Sequence, residues 1–309
     1  MKFAVMGAGG VGAYFGGLLA KSGHEVALVA RGEHLKALQS NGLIVNSVHG
    51  DFQLPLQAVE DPAEIGKVDV VLFATKAFDT EGAAKQILPI LKEDSVVVNL
   101  QNGVGNEEII GNVIGHDKVL GGLTYIETTI EAPGVISQKS PKRDIIFGEM
   151  NGELTNRAKE LLEIFQNAGI PTILSEDINK DIWKKFMFIS SFSAITTISE
   201  STAGQFLECK ETAHLFRKLL EEVYYVARAN QIFLNEEDVE GAYQIASSMG
   251  YGTKSSMQRD YEKRRVLEVD SLSGAVVHYG KNGGVATPYH KMVYGVMKLK
   301  EKNYLKGDN

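Results

Sequence analysis

The first seventeen residues, MKFAVMGAGGVGAYFGG, constrain this chain more than any other stretch. A short apolar run, KFAVM, leads directly into Gly7, Gly9 and Gly12 in a G-x-G-x-x-G spacing, and the pattern then becomes helical. Each glycine has a physical task in such a turn. The first allows the tight reversal, the second lets the backbone approach a pyrophosphate, and the third lets helix and strand pack closely. The helix N-terminus adds N–H donors and positive dipole. The spacing alone is a weak signal, and a merely Gly-rich turn competes with it. Between a strand and a helix, at the head of a βαβ series, it reads as a dinucleotide cradle.

The series continues. Strand patterns fall at 2–6, 25–29, 43–46, 68–74, 95–100 and 119–126, with helical patterns at 10–22, 33–40, 77–92 and 105–113. Strand and helix alternate in steps of roughly 25 to 30 residues, as βαβ units on a parallel sheet do. Burial on both faces explains why VDVVLFA at 68–74 hardly alternates. After a last strand at 172–175 the texture changes to helical patterns only, at 178–198, 207–230, 236–249, 254–266, 269–281 and 288–304. The expected fold is therefore α/β, an N-terminal Rossmann-like parallel-sheet domain over 1–176 followed by an all-helical domain over 177–309. HYGKNGGVATP at 278–288 reads as a helix stop, a glycine turn and a proline-started helix, or as a plain loop.

Composition narrows the partners. The 309 residues suit two domains, and the 44% apolar and 23% charged shares are those of ordinary globular chains. A net charge of −7 argues against nucleic acid or an anionic membrane as partner, so an anionic ligand must meet a local basic spot. Cys209 is the only cysteine, which excludes an internal disulfide and favours a reducing, cytoplasmic setting. The seven histidines show no metal-ligand spacing, so no metal is expected. Residues 2–20 superficially resemble a secretory signal, but five glycines between 7 and 16 would weaken such a helix. The apolar run 186–198 is shorter than the roughly 20 residues a spanning helix needs and reads as a core helix. An exposed helical domain is compatible with a homodimer.

The cofactor type is read at the end of the second strand. A site for NAD usually carries an acid there, whereas EVALV runs into Ala30 and Arg31. A guanidinium suits a 2′-phosphate, so NADP (NADPH) is expected; an ordinary exposed arginine is the competing reading. Lys76 and Asn102 follow two further strands, at the carboxyl ends where open sheets bind ligands. Lys76 suits ribose, phosphate or substrate. Asn102 suits a carbonyl or the nicotinamide amide, although Asn-Gly is also a common turn pair.

In the helical half, Trp183-Lys184-Lys185-Phe186 carries adjacent lysines. At about 100° per residue, Lys185 lies near the line of Ile178, Ile182, Ile189 and Phe192, and Lys184 points to the charged side. A lysine on an apolar stripe loses hydration and its pKa falls toward the range of a useful proton donor. Snorkelling along an apolar surface is the competing account.

With these residues in view, the chain resembles the ketopantoate reductases. The likeness rests on G7-A-G-G-V-G12, T75-K76-A, Q101-N102-G-V-G, W183-K-K185, S255-S256-M-Q-R-D260 and E268-V-D270-S-L-S-G274, in that order from Met1 to about Pro288. The resemblance implies NADPH-dependent reduction of 2-dehydropantoate to D-pantoate. It implies Lys185 as general acid, Glu268 as the carboxylate holding substrate and lysine, Ser256 on the substrate carboxylate and Asn102 on substrate or cofactor. Plainer roles compete: Ser256 as a helix cap, Asp260 as an i,i+4 partner of Arg264, Glu268 as a first-turn acid. The chain also departs from the family. Four and eight residues after the lysine, members acting on ketopantoate typically carry asparagines; here Ile189 and Ser193 line that face. This favours a 2-oxo acid with an apolar side chain, as in a D-2-hydroxyacid dehydrogenase on the same scaffold. A non-catalytic NADP-binding sensor, and a reductase of the 3-hydroxyacid or 6-phosphogluconate type, are the remaining alternatives.

Overall fold

A computed structural model describes residues 1–306. The chain divides into two compact units, Met1–Asp181 and the residues from Ile182 onward. The first unit runs β1 (Lys2–Met6), α1 (Gly10–Lys21), β2 (Glu25–Val29), α2 (Gly32–Asn41), β3 (Leu43–Ser47), β4 (Phe52–Leu54), β5 (Gln57–Val59), β6 (Val68–Phe73), α3 (Thr80–Ile87), β7 (Leu91–Asn99), α4 (Asn106–Ile114), β8 (Val119–Ala132), β9 (Val135–Glu149), α5 (Asn156–Asn167) and β10 (Thr172–Leu174).

These strands form one sheet in the order β4-β3-β9-β8-β7-β6-β1-β2-β5, with β10 alongside β9. Between β5 and β8 every pairing is parallel. Strand β1 lies between β2 and β6, so β2 and β5 lie on one side of it and β6, β7 and β8 follow in turn on the other, where the sheet continues through β9 to β3 and β4; the winding direction switches at β1. Ligands bind open α/β sheets where that direction switches, at the carboxyl ends of the strands. Both faces are covered, as the unbroken apolar runs require. Phe3, Val5, Leu28, Leu72 and Val98 pack one way against Phe15, Leu19 and Phe147. Ala4, Met6, Val29, Val71, Phe73 and Val97 pack the other way against Ile87 and Ile110. Full burial of such a side chain contributes about 1.5–3 kcal/mol, so the central strands anchor the unit.

The α/β reading holds, with corrections. The sheet is mixed, because β8 pairs antiparallel with β9 and β3 antiparallel with β4. Strands β4, β5 and β9 and helix α5 are absent from the expected elements. The 15-residue β9 hides in VISQKSPKRDIIFGE because its polar centre and Pro141 read as a break. The ladder accommodates them by a register shift: Ile126 pairs with Arg143, yet Thr128 already pairs with Gln138. Pro141 sits in that bulge, where its missing N–H costs no ladder bond. Helix α3 ends at Ile87 rather than Lys92, because β7 begins at Leu91.

Within the described residues the second unit is helical throughout. Helix α6 (Ile178–Ile198) starts in the first unit and runs into the second, followed by α7 (Ala203–Glu208), α8 (Lys210–Ala229), α9 (Glu236–Ser247), α10 (Ser256–Glu262), α11 (Ala275–Asn282) and α12 (Pro288–Lys306). The expected single helix over 207–230 is two, broken where Cys209 is extended and exposed. That over 254–266 stops at Glu262, and Arg264 adopts a left-handed φ of 51° two residues later. That over 269–281 opens with a π-type turn, Asp270–Gly274. No described helix is long and apolar enough to cross a membrane.

Candidate active site

In the first unit the glycine turn joins β1 to α1, and its three glycines separate by geometry. Gly7 has φ 98°, where L side chains are strained, and a Cβ there would lie 2.9 Å from the Ala74 carbonyl and the Thr75 nitrogen. A Cβ at Gly12 would strike the Gly7 carbonyl oxygen and lie 2.7 Å from Val5 Cγ1. At Gly9, which caps α1, it would meet nothing within 4 Å. The turn is closed where strand and helix must touch and open at the helix N-terminus. That is the fit a pyrophosphate requires.

The other expected cofactor residues stand at the ends of neighbouring strands. Arg31 follows β2, occupies the N-cap position of α2 and is exposed, its Nη2 donating to Gln86 Oε1 at 3.4 Å. Lys76 follows β6 and is exposed; Asn102 follows β7, is half-buried, and its carbonyl accepts from Asn106 Nδ2 at 3.1 Å. Because β2, β1, β6 and β7 are parallel, all these residues share one edge of the sheet.

Sequence reasoning missed what holds this edge together. Gln101 is buried, and its Nε2 donates to the Thr75 carbonyl at 3.1 Å and the Thr75 hydroxyl at 3.0 Å, tying the loop after β7 to the loop after β6. Behind it, buried Asn99 donates to Glu107 Oε1 at 2.7 Å, and burial raises the Glu107 pKa. The available signal was a run of amides, N-L-Q-N, closing an apolar strand.

In the second unit, α6 sorts its two lysines. Lys184 reaches Asp238 at 2.8 Å with its side chain 40% exposed, whereas Lys185 is only 8% exposed. Around Lys185, Ile182, Trp183, Phe186 and Phe192 are buried, and Trp183 packs edge-on against Phe186 and Tyr279. Desolvation pulls the Lys185 pKa down to about 8, against the pull of the Glu268 carboxylate, which favours the charged amine. Burial thus replaces snorkelling as the account of this lysine. Glu268 is 7% exposed and lies in the turn before the π-type turn, its carbonyl accepting from Leu272 N at 3.0 Å and Ser271 Oγ at 3.0 Å. It is thus a buried acid, one residue before the N-cap Val269 of that turn.

The late serine block sorts differently from the plain alternatives. Ser255, not Ser256, caps α10, accepting from Gln258 N at 3.1 Å, and its hydroxyl receives that of Thr196 at 2.8 Å. Ser256 is the first helical residue and is exposed. Asp260 lies 3.6 Å from Arg265 rather than pairing with Arg264, whose left-handed φ takes it off the helix path. On α6, Ile189 is half-buried and Ser193 is buried, one and two turns past Lys185. No group of three or more potential metal ligands occurs among the described residues.

Two family models match the chain: ketopantoate reductase PanE/ApbA over residues 3–152 and its C-terminal region over 177–301. The chain belongs to the ketopantoate reductase family. It is 33% identical to an uncharacterized oxidoreductase, YkpB, of Bacillus subtilis, over 97% of this chain and 99% of that protein. A 2-dehydropantoate 2-reductase of Pyrococcus abyssi is 31% identical, covering 97% of this chain and 98% of that one. A solved ternary structure of D-mandelate dehydrogenase with NADH and anilino(oxo)acetate superimposes with a TM-score of 0.91 at 26% identity, over 98% of each chain. As a member of this family the protein is a nicotinamide-dependent oxidoreductase. Ketopantoate reductases and a mandelate dehydrogenase thus share its fold from end to end.

Proposed function

We propose that the protein uses NADPH to reduce a 2-oxo acid to the D-2-hydroxy acid, and that 2-dehydropantoate, giving D-pantoate, is its first candidate substrate. The observation that carries this reading is the buried amine of Lys185, drawn down to about 8 and accompanied by the Glu268 carboxylate. Bound NADPH supplies the hydride to the keto carbon. Lys185 answers the charge that develops on the carbonyl oxygen, first by donating an N–H bond and then by giving up the proton. An amine titrating near 8 is mostly charged at neutral pH yet releases its proton far more readily than an ordinary lysine. Glu268 keeps it charged before the reaction. In this reading Ser256 binds the substrate carboxylate and Asn102 holds the substrate or the nicotinamide amide. Arg31 takes the 2′-phosphate, and Lys76 binds cofactor beside it.

A second reading has its own support. Ile189 and Ser193 put a butyl group and a short hydroxyl where a polar substrate hydroxyl would want amides, and a mandelate dehydrogenase shares the fold. A D-2-hydroxyacid dehydrogenase acting on an apolar 2-oxo acid fits that face. The buried Lys185 and Glu268 argue against a non-catalytic sensor, because an unused buried charge pair is costly. The lone, exposed Cys209 and the use of NADPH suit a reducing cytoplasm.

The test is a panel. Purified protein with NADPH is offered 2-dehydropantoate, 2-oxoisovalerate, 2-oxoisocaproate and phenylglyoxylate, and kcat/KM is compared. The first reading expects 2-dehydropantoate to lead, and the second expects an apolar acid to lead by at least tenfold. Failure to oxidise NADPH with any of the four would sink both.

A further inference from the structure

The glycine turn is gripped from outside by a side chain that its motif does not include. His34, on the first turn of α2, places Nε2 2.9 Å from the Ala8 carbonyl oxygen. Its other nitrogen, Nδ1, lies 3.0 Å from the backbone nitrogen of Gly134, in the turn between β8 and β9. The Gly134 N–H can only donate, so Nδ1 is the acceptor and Nε2 carries the hydrogen. The ring is a neutral imidazole in one fixed tautomer, and Nε2–H donates to Ala8. The turn that fixes it is itself held, since the Gly134 carbonyl accepts from Ile44 N at 3.0 Å and a Cβ at Gly134 would lie 3.1 Å from that of Ala37.

Ala8 is also fixed on its other side, its N–H donating to the Val29 carbonyl at 2.9 Å. The consequence lies in the peptide joining residues 8 and 9. A trans peptide is planar, with its carbonyl and its N–H pointing in opposite directions. Holding the Ala8 carbonyl on His34 therefore turns the Gly9 N–H the other way. Gly9 is the residue at the helix N-terminus whose side has open space. The glycine makes close approach possible; the histidine decides where its hydrogen points.

We propose that His34 is a positioning residue for the cofactor: through the Ala8 carbonyl it sets the plane of the 8–9 peptide, so that the Gly9 N–H is presented to a bound pyrophosphate. The proposal rests on reading the glycine turn as the dinucleotide site. It adds that the turn is preorganised, so the energy of orienting the peptide is spent on folding rather than on binding.

Two substitutions separate the two bonds of the ring. In His34→Asn the amide oxygen stands in for Nδ1 and keeps the Gly134 bond, but the side chain is too short for Ala8. In His34→Gln the amide nitrogen stands in for Nε2 and keeps the Ala8 bond. The measurements are the NADPH Kd by fluorescence titration, steady-state kcat and KM, and melting temperature. His34→Asn is expected to raise Kd and KM for NADPH about five- to tenfold, the size of one hydrogen bond's net worth. Its kcat at saturating NADPH should stay within about twofold, and His34→Gln should restore affinity to within about twofold of the parent. Unchanged affinity in His34→Asn, equal weakening by both variants, or a loss confined to kcat would overturn the proposal. Gly9→Val serves as the control. If it leaves NADPH affinity intact, the glycine turn is not the cofactor site, and the underlying reading falls rather than the role of the histidine.

Discussion

In the first unit the groups assigned to function in our proposal are largely backbone: a turn whose glycines differ in φ and in what a methyl group would hit, at the end of the parallel strands. In the second they are side chains: an amine on a helix and a carboxylate in a turn, both buried, on segments far apart in sequence. The difference teaches how each kind of site is specified. A backbone site is fixed by sterics that act over a few residues, so its parts must sit together in the sequence. A side-chain site is assembled by packing, and residues as distant as 185 and 268 come under each other's influence only once the helices are in place.

The largest effect expected from breaking this contrast is at the amine. Lys185→Ala should lower kcat by about 10² to 10⁴-fold while the NADPH Kd hardly moves, as for a lost proton donor. Stopped-flow turnover and fluorescence titration on the same preparation check both halves. A comparable loss in NADPH affinity would show that the lysine belongs to the cofactor site instead. Next comes Arg31→Ala, which should weaken NADPH by about tenfold or more and NADH little, because only the former carries the 2′-phosphate. Equal losses for both coenzymes would remove the case for NADPH.

The pH profile sharpens the comparison from the side-chain half alone. Reduction needs the charged amine, so kcat should be level below the Lys185 pKa and fall as pH rises through about 8. Oxidation of the hydroxy acid needs the neutral amine and should rise over the same interval. A reduction rate that climbs through pH 8 would reverse the assigned role. The smallest effect separates the two serines of α10. Ser255→Ala removes the cap and should cost about 1 kcal/mol of stability by chemical denaturation. Ser256→Ala should leave stability unchanged and raise the KM for the oxo acid. The opposite pattern would return Ser256 to the role of a helix cap.

Much of the first unit was legible because its rules are local. The three glycines, the parallel core strands and the basic residue after β2 follow from spacing and composition, and the structure gives Gly7, Gly9 and Gly12 distinct steric surroundings. Strand β9 was illegible because a bulge absorbs Pro141 and a polar centre, and a bulge depends on the partner strand rather than on the sequence it interrupts. The grip of Gln101 on Thr75 was hidden for a related reason, since it joins two loops that only the strand order makes neighbours. In the second unit helical periodicity separated Lys185 from Lys184, yet it offered no hint of Glu268, which came from family resemblance. The competing reading of Ser256 as a helix cap fell one residue late, because Ser255 and Ser256 are equally good caps until the helix start is known.

The break between α7 and α8 has a practical consequence. It leaves the molecule's one sulfhydryl, at Cys209, facing solvent on an extended residue of the helical unit. A maleimide dye would therefore attach at a single known address without any engineered mutation. Such a reporter would let the helical half be watched on its own while coenzyme and oxo acid are added in turn.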